Sequence, residues 1–115
     1  MITVTVFRSD GHVDSLFIEG HSDYAEEGED IVCAGVSSLA VTLANGLTEI
    51  AHIPTDECAV EGGFGHIVLA EGLTPAQRAQ ADLLMNTFTL GFQSLAASYA
   101  DDVSIIFANG GEQHD

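Results

Sequence analysis

The sequence predicts a single α+β domain in the order ββαββαβ, with a mostly antiparallel sheet carrying two layered helices. Three observations lead there. Apolar and polar residues alternate with a period of two near the start (Ile2, Val4, Val6), and short strand-like runs follow in the middle (Phe64 to Leu69) and near the end (Val103 to Phe107). The stretch from Ile31 to Thr48 carries no charge and repeats Val32, Val36, Leu39, Leu43 and Leu47 at helical spacing. Thr74-Pro75-Ala76-Gln77 is a capping box with proline at the first helical position. At 115 residues the chain holds one core and no second domain. The domain is expected over residues 1–108, with 109–115 as a disordered tail.

The first strand is rich in β-branched residues and gives way at Ser9-Asp10-Gly11-His12 to turn chemistry. Leu16 and Ile18 resume the alternation up to Gly20, so the first two strands form an antiparallel hairpin with His12 solvated in its turn. A polar loop follows from Ser22 to Glu29. Asp30 is the expected N-cap of the first helix, which ends near Ile50 after Asn45-Gly46 and before Pro54. With no charge before Glu49, that helix is covered on more than one side, by the sheet and by the second helix or a partner subunit. Glu57 to Glu61 and Phe64 to Leu69 are two strands around Gly62-Gly63. The second helix carries Leu84, Phe88, Phe92, Leu95 and Tyr99 on one side as core, and Asp101-Asp102 closes it.

The chemistry concentrates between Gly20 and Leu39. His21 and Cys33 lie at the two ends of the acidic loop, and a loop of that length folds back far enough for imidazole and thiol to meet. If Asp30 caps the helix, Cys33 falls in the first turn, where unpaired N–H groups and the positive end of the macrodipole favour a thiolate. The same N–H groups would hold a developing oxyanion. Ser37, one turn on from Cys33, either hydrogen-bonds near the thiolate or is a small residue allowing close packing. Cys58 reads as a small buried residue in a strand. His66 reads as a structural or surface histidine, and His52 falls in the polar exit near the helix C-terminus, where a partly positive imidazole is tolerated.

This segment resembles the ribosomal-processing cysteine protease family. The resemblance rests on Gly20-His21, Tyr24-Ala25-Glu26, Asp30-Ile31-Val32-Cys33-Ala34 and Ser37, in that order and spacing. It implies a small cytoplasmic α/β homodimer that removes a short N-terminal extension from a large-subunit ribosomal protein, cutting after an aromatic residue. By position it implies His21 as the base and Cys33 as the nucleophile, with Gly20, Asp30 and Ser37 in support. Ser22-Asp23 departs from the two small residues more usual there and makes the entrance more polar. The match in detail covers about residues 20–47.

Charge narrows the partners. Eighteen acidic residues stand against Arg8 and Arg78 alone, a formal charge of −16. Direct nucleic-acid binding, which needs clustered Lys and Arg, is excluded on these grounds. A basic partner such as a ribosomal protein is favoured, although high net charge also serves solubility by itself. Met1 leads directly into a strand, so no secretory signal is expected. No membrane span is expected either, because polar residues from Glu49 onward end the longest apolar run. Without CxxC, HxxxH, a calcium loop, GxGxxG or a Walker loop, no metal or cofactor is implied, though His21, Cys33 and Cys58 could be drawn together as a zinc site. The reading is a thiol endopeptidase. The competing one is a non-enzymatic acidic domain that binds a basic ribosomal protein, and a third is a redox-sensing thiol protein.

Overall fold

The computed structural model describes residues 1–20, 27–61 and 64–110, with the side chains of 27–30 not described. Five strands form one sheet in the order β3-β4-β2-β1-β5. They are β1 (Ile2–Ser9), β2 (His12–Glu19), β3 (Thr55–Glu61), β4 (Phe64–Leu69) and β5 (Val103–Asn109). Every neighbouring pair is antiparallel except β1 with β5. Two helices, α1 (Glu27–Asn45) and α2 (Pro75–Ser98), complete the α+β architecture predicted from the sequence.

β1 and β2 are joined by Asp10 and Gly11, both at positive φ, as a two-residue turn of matching twist requires. Their alternation resolves into two faces. Val4 and Val6 pair with Ile18 and Leu16 on the buried face, and Thr5 pairs with Phe17 on the other. α1 lays Val32, Val36, Ala40 and Leu43 against the buried face, and α2 adds Ala81, Met85 and Phe92. Ile67 of β4 and Val103 of β5 complete the core.

α2 starts as drawn. The Gln77 amide donates to Thr74 Oγ1 at 3.1 Å, and the Thr74 amide donates to Gln77 Oε1 at 2.9 Å. Its buried line differs from the expected stripe. Ala81, Met85, Thr89 and Phe92 face the core, Leu84, Phe88 and Leu95 flank it, and Tyr99 is exposed. Thr89 is tolerated there because its hydroxyl donates to the Met85 carbonyl at 2.7 Å.

Other boundaries moved for local reasons. α1 continues through a π-turn, Gly46–Ile50, in which the Ala51 amide reaches the Gly46 carbonyl at 2.9 Å. β3 begins two residues earlier than expected, with a bulge between Thr55 and Glu57. β5 extends past Phe107 because Ala108 and Asn109 still pair with Phe7 and Arg8. The expected tail therefore loses Asn109 to the sheet, and 111–115 fall outside the described residues.

His12 is not merely solvated. Its Nδ1 donates to Asp82 at 2.9 Å, and Arg78 donates to both Asp82 (3.1 Å) and Asp14 (3.3 Å). Ser9 donates to Asp14 as well, so the first hairpin is tied to α2 by partners far apart in sequence.

The segment Ile31–Ile50 does meet the length and apolarity needed to cross a membrane, which corrects the expectation that no run would. A third of it is buried. It leaves Ile31, Val41 and Ile50 exposed.

Candidate active site

Gly20 ends β2 at φ +91°, a region closed to most side chains. A Cβ there would lie 2.3 Å from the Met1 carbonyl oxygen, so only glycine lets the chain turn out of the sheet against the first residue of β1. The start of β1 is itself held, because the Ile2 amide donates to the Asp102 carbonyl at 2.8 Å. Gly20 thus launches the chain toward His21 from a fixed point. His21, with 22–26, lies outside the described residues, as does most of the expected acidic loop.

α1 begins at Glu27 rather than after Asp30. The physical reason is the run Glu27, Glu29 and Asp30, since acidic residues are favoured in a first helical turn by the positive macrodipole end. Asp30 is therefore not the N-cap. The free amides of the helix start belong to residues 27–30, and Cys33 stands about 9 Å further along the axis. The expected cluster of nucleophile and oxyanion donors in one first turn does not form in that way. The dipole effect fades within a turn and so does little for Cys33.

Cys33 is a free, half-buried cysteine that packs at the edge of the core. Ser37, one turn on, is half-buried on the same side. Six residues separate Gly20 from Glu27. Gly20 directly follows β2, and Cys33 and Ser37 lie in the first half of α1.

Cys58 is also free, but it pairs opposite Ile67 on the core side of β3, and burial pushes its thiol above the ordinary range. Such a thiol is protonated at neutral pH and a poor nucleophile. His66 donates from Nδ1 to Glu57 at 2.9 Å on the opposite side of the sheet, and His52 is exposed at positive φ beyond the π-turn. Among the described residues no group of three or more His, Cys, Asp or Glu could hold a metal ion.

Sequence reasoning passed over Met1, whose main chain makes Gly20 irreplaceable, and the aromatic face around His66. The second had a visible signal, since Phe7, Phe17 and His66 occupy the polar phase of their strands.

A family model described as "Cysteine protease Prp" matches residues 1–104. That defines the class: this chain is a cysteine protease, a hydrolase with a thiol nucleophile. More particularly, the chain belongs to the Prp family of ribosomal processing cysteine proteases. The Bacillus subtilis ribosomal processing cysteine protease Prp is 30% identical over 107 residues, covering 91% of this chain and 96% of its own. A crystal structure from Streptococcus mutans superposes with a TM-score of 0.81 at 32% identity, over 95% of each chain. The essential ribosomal processing protease Prp from Staphylococcus aureus, solved with a substrate peptide, has a TM-score of 0.79 at 25% identity, over 93% of this chain and 99% of its own. The Staphylococcus aureus enzyme has also been solved with a covalently linked product peptide, with a TM-score of 0.77 at 28% identity, over 93% of this chain and 99% of its own.

Proposed function

We propose that this protease removes the N-terminal extension of a large-subunit ribosomal protein, cutting after an aromatic residue, with Cys33 as nucleophile and His21 as base. The observation that carries the reading is a family match over residues 1–104, and a free, half-buried Cys33 on α1 supports it. His21 accepts the thiol proton as Sγ attacks the peptide carbonyl, and the tetrahedral intermediate collapses to a thioester. The amine leaves with the proton returned by His21. Water then hydrolyses the thioester, with His21 as base, and frees Cys33. The covalently linked product peptide of the Staphylococcus aureus relative supports a covalent route of this kind.

Gly20 acts by holding the β2 exit, and Ser37 lines the helix beside the thiol. Asp30 supports the site from the first turn of α1. The charge of −16 favours a basic substrate protein by long-range attraction. The protease works in the cytoplasm as a homodimer, paired through the outer helical face. That face exposes Ile31, Val41, Leu83 and Leu90 around a groove between α1 and α2 of about 470 Å³. The groove floor is shallow because Gly91 and Gly35 let the helices approach, with Leu39 3.3 Å and Leu95 3.5 Å from where their Cβ atoms would be.

The test is cleavage, read by mass spectrometry, of the source organism's own large-subunit ribosomal protein carrying its N-terminal extension. Wild type is expected to make one cut after an aromatic residue, and Cys33→Ala and His21→Ala none. Binding without cleavage by wild type would replace the protease reading with that of an acidic ribosomal-protein binder.

A further inference from the structure

The side of the sheet away from the helices is not a plain polar surface. Phe7, Phe17, His66 and Phe64 form one continuous aromatic line across β1, β2 and β4. Phe7 meets Phe17 edge-on at 5.2 Å, Phe17 lies 4.8 Å from His66, and His66 lies 5.5 Å from Phe64. Phe64, at the outer end of the line, is 58% exposed. Beside it Ala59, Glu61, Phe64 and His66 line a depression of about 390 Å³. Glu57 borders the same area and accepts from His66.

The charge of this patch is one-sided. Glu57 and Glu61 flank the rings, and both arginines of the chain are engaged elsewhere. Arg8 lies over the Phe107 ring at 4.4 Å, and Arg78 is bound to Asp14 and Asp82. An exposed aromatic ring next to carboxylates that no arginine among the described residues engages suits a guanidinium, which stacks on a ring while it donates to an acid. The patch also lies at the active-site end of the sheet. Gly65, next to Phe64, pairs with Ile18, two residues before Gly20.

We propose that the patch of Phe17, Phe64 and His66, walled by Glu57 and Glu61, is a second docking site that takes an extended, arginine-bearing segment of the protein substrate. It rests on the endopeptidase reading for the identity of its ligand. The peptide that is cut occupies the Cys33 end, and a basic stretch of the same protein wraps round the sheet edge onto the aromatic line. Selection of the whole ribosomal protein over other chains with a similar cut sequence would then come from a surface that performs no chemistry.

Two measurements test this. In the first, the full chain is titrated with the peptide acetyl-Arg-Val-Arg-Val-Arg-Val-amide and followed by ring and amide NMR signals. Shifts are expected to centre on Phe17, Phe64 and His66, with binding weakened about five- to tenfold in Glu57→Gln/Glu61→Gln. Shifts spread over the whole acidic surface, or unchanged affinity in the double variant, would overturn the proposal. So would shifts on this face that follow protein concentration and not peptide, since they would mark a second copy as its occupant.

In the second, kcat/KM is measured for the intact ribosomal protein and for a short peptide ending a few residues beyond the cut. Glu57→Gln/Glu61→Gln, and separately Phe64→Ser, are expected to lose activity on the intact protein through KM while cleaving the short peptide as wild type does. Equal effects on both substrates would refute a docking site. Wild type that cleaves neither substrate would sink the endopeptidase reading instead, and the NMR titration would still decide the patch.

Discussion

Gly20→Ala is the substitution whose cost the structure fixes most narrowly. Two terms contribute. A non-glycine residue at φ +91° costs about 1–2 kcal/mol in backbone strain. The added Cβ would stand 2.3 Å from the Met1 carbonyl oxygen, so β1 and β2 must part by roughly 1 Å at their open end. Relief of an overpacked contact of that kind costs about 1–3 kcal/mol. The sum, about 2–5 kcal/mol, corresponds to a fall in Tm of roughly 8–25 °C for a domain of this size. Gly72→Ala separates the terms, because Gly72 is also at positive φ (+73°) but has nothing within 4 Å of its Cβ position. Urea unfolding of both variants is the assay, with Gly72→Ala expected near 1 kcal/mol. The contact also moves the exit of the chain toward His21, so at a temperature where Gly20→Ala is folded its kcat should fall by up to about 10²-fold. Equal destabilisation of the two variants would refute the argument that Met1 makes Gly20 necessary.

Further outcomes follow from individual residues. Thr74→Ala removes one half of the capping box and should cost about 1 kcal/mol in urea unfolding, with Thr74→Ser restoring most of it. Asp82→Ala unties His12 and Arg78 together and should cost about 1–2 kcal/mol, more than Asp14→Ala, which leaves the His12 partner in place. Burial raises the Cys58 thiol pKa, so above about pH 8.5 the unfolded chain loses this proton while the folded chain keeps it. The associated stability is complete below the unfolded pKa and is lost as pH rises toward the folded one. Cys58→Ala should flatten that part of the stability profile, and an unchanged slope would show that Cys58 is not its source.

Much of the fold can be read from short patterns. The alternation in β1 and β2, the capping box of α2 and the uncharged face of α1 are local, and each formed where it was expected. What escaped depends on distance along the chain. His12 looked like a turn residue because Asp82, its partner, is 70 positions away. The parallel pairing of β5 with β1 and the close approach of Met1 to Gly20 join residues near the two ends or two strands, which no local period encodes. The start of α1 was misplaced for a different reason. Asp30 is a good cap by residue type, but the acids just before it are equally good first-turn residues, and the helix took the longer option. For the site, the motif from Gly20 to Ser37 marked the family, which the match over residues 1–104 shows. His21 and the acidic loop lie outside the described residues.

The central claim is that Cys33, and not Cys58, is the nucleophile. The direct measurement is rapid quenching of wild type with a peptide that spans the aromatic cut, followed by intact-mass and fragment analysis of the protein. The account predicts a transient adduct with the mass of the N-terminal product, located on Cys33, absent from Cys33→Ala and retained in Cys58→Ala. An adduct on Cys58, or undiminished cleavage by Cys33→Ala, would contradict it.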